Sequence, residues 1–241
     1  MTAVELRLGP RPDEPGPPIG QGPQAYSPEV TAQLTEDAAV IIARYPHARS
    51  ALLPLLHLVQ AHDGYLTPAG ICFCAEQLDL SAAEVTAVAT FYSMYRRTPT
   101  GEYLVGVCTN TLCAVLGGDA ILAALEEHLG VGPGQTTEDG LLTLEHIECN
   151  AACDYAPVVM VNWEFFDNQT PGSATDLVDN LRSGRAVSPT RGAATLCTFR
   201  QTARILAGFA DERAGANDSA PGAATLAGLR VARERNLEAP Q

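Results

Sequence analysis

Four cysteines in the middle of the chain come as two close pairs, Cys108/Cys113 and Cys149/Cys153. The first pair lies in V-G-V-C-T-N-T-L-C and the second in E-C-N-A-A-C-D-Y-A-P, each directly after a β-like run. When two strands joined through a helix run parallel, the loops that follow them leave the same carboxyl edge of the sheet. The two pairs therefore read as one site despite their separation in sequence. Four gathered thiols can hold a [2Fe–2S] cluster, bind zinc, or close two disulfides.

Spacing weighs these options without closing the choice. Structural zinc sites commonly use C-x2-C knuckles that aim two thiolates at one ion, and a C-x4-C loop is wide for that. A [2Fe–2S] rhomb takes two thiolates on each of two irons, so wider loops with backbone N–H donors suit it. Thioredoxin-type exchange prefers C-x-x-C at one strand–helix junction and would leave the second pair without a purpose.

The chain around these loops divides into four stretches. Residues 1–26 hold the run G-P-R-P-D-E-P-G-P-P, too poor in apolar side chains to order itself, and read as an extended or disordered arm. Residues 27–97 read as a small helical domain of four amphipathic helices. Ser27-Pro28 and Thr67-Pro68 are helix starts, and Ser81 with Glu84 is a capping box. Within it, Leu52, Leu55, Leu56 and Val59 share one face of the second helix. Cys72 and Cys74 read as small buried hydrophobes, Phe91, Tyr92 and Tyr95 as core, and His57 and His62 as core or surface residues rather than ligands. Residues 98–183 read as strand (103–107), cysteine loop, helix (119–129), strand (141–147), second cysteine loop, hairpin turning at Asn162-Trp163, and helix (173–181). That order is the order of a thioredoxin-like sheet, in which Ala156-Pro157 falls where a cis proline is expected. Residues 184–241 read as a tail with helices over about 198–210 and 225–235. Its stripe of Phe199, Leu206 and Phe209 needs a surface to pack on. The fold class is thus α+β.

The formal charge of −13 argues against a nucleic-acid binder. It is unevenly spread: residues 1–181 carry 6 Arg against 23 acids, and residues 182–241 carry 9 Arg against 5. A basic tail beside an acidic body points to docking on an acidic surface, first a partner's groove and second the chain's own helical domain; two independently solvated segments, with the tail disordered, is the alternative. No apolar run approaches the ~20 residues of a membrane span, and an odd count of cysteines without a signal-like segment suits a reducing cytosol.

C-T-N-T-L-C followed by G-G-D-A-I-L-A-A-L-E-E-H-L-G, then E-C-N-A-A-C-D-Y-A-P, resembles the thioredoxin-like [2Fe–2S] E subunits of NADH:quinone oxidoreductase, respiratory complex I. The helical stretch Y-P-H-A-R-S-A-L-L-P-L-L-H-L-V-Q-A-H-D-G-Y-L and V-A-T-F-Y-S-M-Y are similar as well, and the likeness covers about residues 28–182. Two features depart from the family pattern: C-N-A-A-C stands where C-L-G-A-C is common, and the tail lies outside it.

The resemblance implies that Cys108, Cys113, Cys149 and Cys153 ligate one [2Fe–2S] cluster that exchanges single electrons with FMN during NADH oxidation. FMN and NADH would be bound by a flavoprotein partner subunit, with other peripheral-arm subunits nearby. The chain itself would be a non-catalytic redox subunit with no catalytic residue. It would sit on the cytoplasmic side of the plasma membrane as part of a membrane-bound, proton-translocating complex, without inserting in the bilayer. An equivalent subunit of an NAD-linked hydrogenase or formate dehydrogenase, or a redox-inert zinc module, is the alternative.

Overall fold

Helix starts in the first unit follow directly from side chains that accept the orphan N–H groups of a first turn. The computed structural model describes residues 19–216 and 221–237. The expected arm over 1–18 and the tail residues 217–220 and 238–241 lie outside the described residues. Helix α1 (Pro28–Ile42) begins at Ser27, whose hydroxyl accepts from Val30 N. A 3-10 turn (Ala48–Ala51) leads into α2 (Leu52–Asp63), which stops at Gly64. Thr67 caps α3 (Pro68–Leu78), and Ser81 with Glu84 forms the capping box of α4 (Ala82–Phe91).

One core joins these four helices, and α2 runs through it. Leu52, Leu55, Leu56 and Val59 are buried as their spacing predicts, but so are His57, Leu58 and Gln60. A helix covered on nearly every side needs more than three neighbours, and the fourth is supplied by the tail. Gln60 meets its polar needs internally: its Nε2 donates to the Met94 carbonyl at 3.1 Å and its Oε1 accepts from Arg96 N at 2.7 Å. Residues 19–26, expected as part of an extended or disordered arm, are ordered and pack here. Ile19 is buried, the Pro23 carbonyl accepts from Ala69 N, and Tyr26 donates to Asp63 at 2.7 Å. Two further expectations need correction. Cys74 is buried but Cys72 is exposed, because thiols two apart on a helix point to different sides. Tyr95 is buried, yet Phe91 and Tyr92 are 78% and 45% exposed at the end of α4.

His57 lies against the Tyr95 ring, centroids 4.8 Å apart, and burial pushes its pKa down to about 4 from an ordinary 6.5. The unfolded chain then binds a proton near pH 6.5 that the folded chain refuses until about pH 4, so stability falls as pH drops through that window and levels below it. We expect the loss to approach about 3 kcal/mol between those limits. Urea midpoints of wild type and His57→Gln measured from pH 7 to 4 check this: the wild-type slope should flatten in the variant, and parallel slopes would contradict it.

In the second unit, strand β1 (Tyr103–Cys108) leads through α5 (Thr111–Val115) and α6 (Gly118–Leu129) to β2 (Leu142–Ile147). A 3-10 turn (Cys153–Tyr155), the hairpin of β3 (Val159–Val161) and β4 (Glu164–Phe166), and α7 (Pro171–Arg182) follow. Sheet order is β2-β1-β3-β4, with β1 parallel to β2 and antiparallel to β3. Alternation along the strands puts Val105, Val107, Leu142, Leu144, Val159 and Val161 on the face that α6 and α7 cover. Asn162 and Trp163 both take positive φ in the hairpin turn, and the Ala156–Pro157 bond is cis as expected. The helix α7 starts earlier than its apolar spacing suggests because Thr170 and Ser173 cap each other's turn.

The tail forms α8 (Phe199–Leu206) and α9 (Ala227–Glu234). The amino-acid pattern sends the α8 stripe first to a partner's acidic groove and second to the chain's own helical domain. The structure seats α8 on the second, against α2, with Phe209 packed on the helical core, but of the expected stripe Leu206 stays exposed and Phe199 turns to the hairpin. Arg204 pairs with Asp37 at 2.7 Å, and Arg200 donates to the carbonyls of His62 and Asp63. Phe199 is 1% exposed and stacks on Trp163 at 5.4 Å, while Asn162 Nδ2 donates to the Cys197 carbonyl at 2.8 Å. Thus α8 locks the helical unit to the hairpin. Phe199→Ala should cost about 3–5 kcal/mol in urea unfolding, since it opens a cavity at that junction. A loss below about 1 kcal/mol, the scale of an exposed site, would show that the junction is not packed.

Candidate metal centre

Strands β1 and β2 run in parallel register, Cys108 opposite Ile147, and both end at the same sheet edge. The two cysteine loops leave from that edge, and all four thiols meet there. Cys108, Cys113, Cys149 and Cys153 line one small cleft with Asn150, Ala152 and Val158. Cys108 closes β1, with its N–H donating to the Val158 carbonyl at 3.1 Å. Cys113 lies on α5, a short helix inside what the sequence reads as plain loop. Cys153 opens the 3-10 turn. An Asn110 to Glu148 side-chain hydrogen bond of 2.7 Å ties one loop to the other.

The site has a buried side and an open side. Cys108 and Cys113 are buried beside Val158 and Met160, whereas Cys149 and Cys153 are exposed. Burial pushes the Cys108 thiol up to about 11, against a backbone hydrogen bond at Asn110 that lowers it. The Cys153 thiol is raised first by its hydrogen bond with Cys149 and then by that neighbour's charge. Their sulfurs stand 3.5 Å apart, well beyond the ~2.05 Å of a disulfide. Among the described residues, no three His, Cys, Asp or Glu side chains close tightly around one single-ion position.

The donor set fits a four-thiolate cluster. The N–H of Ala151, a residue at φ 55, donates to Cys149 Sγ at 3.4 Å, which is the kind of contact that stabilises sulfur charge in such sites. Cys72, Cys74 and Cys197 lie outside the cleft. A feature that residue patterns alone pass over is Gly118: a β-carbon there would stand 2.5 Å from the Cys108 carbonyl and 3.0 Å from that of Cys113. Its signal is the Gly117-Gly118 pair directly after the first loop. Leu112, Val115 and Leu116 are exposed apolar residues on and just after α5, the helix that carries Cys113.

A small sheet with a parallel strand pair, two helices on one face and four thiols at one edge is a thioredoxin-like arrangement with a thiol-lined site. The family model described as thioredoxin-like [2Fe-2S] ferredoxin matches residues 38–182, and the chain belongs to that family. It is 67% identical over 238 residues to the E subunit of NADH-quinone oxidoreductase from Mycobacterium tuberculosis, covering 98% of this chain and 94% of that protein. It is 38% identical over 146 residues to NADH-quinone oxidoreductase subunit 2 of Thermus thermophilus, covering 59% of this chain and 81% of the relative. Among solved structures, an NAD+-reducing [NiFe]-hydrogenase shares the fold with a TM-score of 0.50 at 22% identity, over 55% of this chain and 23% of that one.

Proposed function

We propose that Cys108, Cys113, Cys149 and Cys153 hold one [2Fe–2S] cluster, and that the chain is the electron-transfer subunit of an NADH:quinone oxidoreductase working beside a flavoprotein subunit that binds FMN and NADH. The observation that carries this reading is the meeting of two cysteine loops, from parallel strands, in one cleft. When bound, such a cluster supplies a one-electron store beside a two-electron cofactor. The chain's residues do the rest. Cys108 and Cys113 anchor the buried side, and the N–H groups of Asn110 and Ala151 donate to sulfur. Cys149 and Cys153 face outward, toward a docked partner. The exposed apolar side chains of Leu112, Val115 and Leu116 would exclude water from that contact.

Among the described residues no helix is long and apolar enough to cross a membrane. In this reading the subunit is held peripherally, on the cytoplasmic side, by its partners. The test is reconstitution under anaerobic conditions. Added NADH should produce the chain's reduced-cluster EPR signal only when the flavoprotein subunit is present, and Val115→Asp should weaken that pairing. A signal with NADH alone, or none with the flavoprotein, would contradict the proposal.

A further inference from the structure

The tail grips the second cysteine loop as well as the helical unit. From residue 183 onward it lies beyond the span matched by the family model. It first crosses the β3–β4 hairpin. Thr190 N donates to the Phe165 carbonyl at 2.9 Å, and the Arg191 guanidinium lies 4.1 Å from the Phe165 ring centre and 5.2 Å from that of Tyr155. Asp167 fixes that guanidinium by a 2.9 Å ion pair. Further on, the Thr225 hydroxyl donates to the Asp154 carboxylate, and Gly222 lies so close to the Tyr155 hydroxyl that an added side chain would collide with it. Asp154 and Tyr155 are the two residues that follow Cys153 in its 3-10 turn.

We propose that the tail is a clamp on the second cysteine loop, with Arg191, Gly222 and Thr225 as positioning residues that hold the turn presenting Cys153. Two facts make the clamp consequential. Cys149 and Cys153 are on the exposed side of the site, where a loop has few buried contacts to hold it. And Tyr155, in the same short turn as the thiol, is held on three sides: its carbonyl by Asn168 N at 2.8 Å, its ring by Arg191, its hydroxyl against Gly222. The inference rests on the cluster reading above for its functional consequence, but the coupling of tail to loop does not need a cluster.

The test uses the full chain carrying Gly222→Val and Thr225→Val, which push at Tyr155 and remove one hydroxyl without leaving a buried charge. In the metal-free protein, amide exchange over 149–156 should quicken about tenfold, the factor that about 1.4 kcal/mol represents, with α2 unchanged as the folding control. In the cluster-loaded protein, iron release to a chelator should quicken by a similar factor and the g-values of the reduced cluster should shift. Thr225→Ser, which keeps the hydroxyl, should behave as wild type. Unchanged exchange over 149–156 would overturn the clamp, and faster exchange with unchanged iron release and g-values would overturn its role in positioning Cys153. Zinc in place of iron and sulfide in the wild-type chain would end the cluster reading instead, and the exchange measurement would still decide whether the tail holds the loop.

Discussion

Serine in place of any one of Cys108, Cys113, Cys149 or Cys153 should leave the purified chain with little or none of its visible absorption and reduced EPR signal. A hydroxyl is a much weaker partner for iron than a thiolate, and each cysteine would supply half of one iron's protein ligands. The two sides of the site should differ in what else is lost. Cys108→Ser and Cys113→Ser put a hydroxyl into a buried apolar pocket and should also lower stability, by about 1–3 kcal/mol. Cys149→Ser and Cys153→Ser change exposed positions and should leave the urea midpoint of the metal-free chain nearly unchanged. Serine at Cys72 or Cys197 should keep the cluster. Cys74→Ser should keep it too while weakening the helical core, because Cys74 is wholly buried. Retention of the signal in Cys153→Ser together with its loss in Cys197→Ser would reverse the assignment.

The second large effect comes from a residue with no side chain. Gly118→Ala would place a methyl 2.5 Å from the Cys108 carbonyl, and the atoms it meets are backbone of the first cysteine loop. Backbone cannot swing aside as a flexible side chain can, so the loop or the start of α6 must move. We expect a loss of about 3 kcal/mol, the upper part of the usual overpacking range, together with poor cluster loading. Gly117→Ala is the contrast. Position 117 has φ 114 but open space around it, so its cost is conformational, about 1–3 kcal/mol, without a collision against Cys108. Gly118→Ala should therefore lower cluster content more than Gly117→Ala at matched stability. Equal cluster content in the two, measured as iron per chain, would show that the close approach does not position the thiols.

Local chemistry was the most legible part of this chain. The caps at Ser27, Thr67 and Ser81, the turn at Asn162-Trp163 and the strands before each cysteine pair are set by residues within a few positions of each other, and the structure shows them where spacing puts them. The convergence of the loops was legible too, because a parallel β-α-β unit leaves little choice of edge. What sequence could not give was which neighbour covers a given face. The stripe of Phe199, Leu206 and Phe209 announces a need for cover without naming the cover, and α2 gives no sign that Tyr95 would lie against His57 or that Gln60 would bond to the backbone of Met94 and Arg96. Phe91 and Tyr92 look like core by composition, yet α4 ends at Phe91 and leaves both outside. The grip of Thr225 and Gly222 on residues 154 and 155 joins positions about seventy apart and has no local signature.

We propose above that these four thiols share one iron–sulfur cluster. Its most direct test is the metal and sulfide content of the chain purified without oxygen, read beside its EPR spectrum after dithionite reduction. We expect two irons and two acid-labile sulfides per chain, with a reduced spectrum that disappears in Cys108→Ser. One zinc per chain, no labile sulfide and no signal on reduction would contradict it.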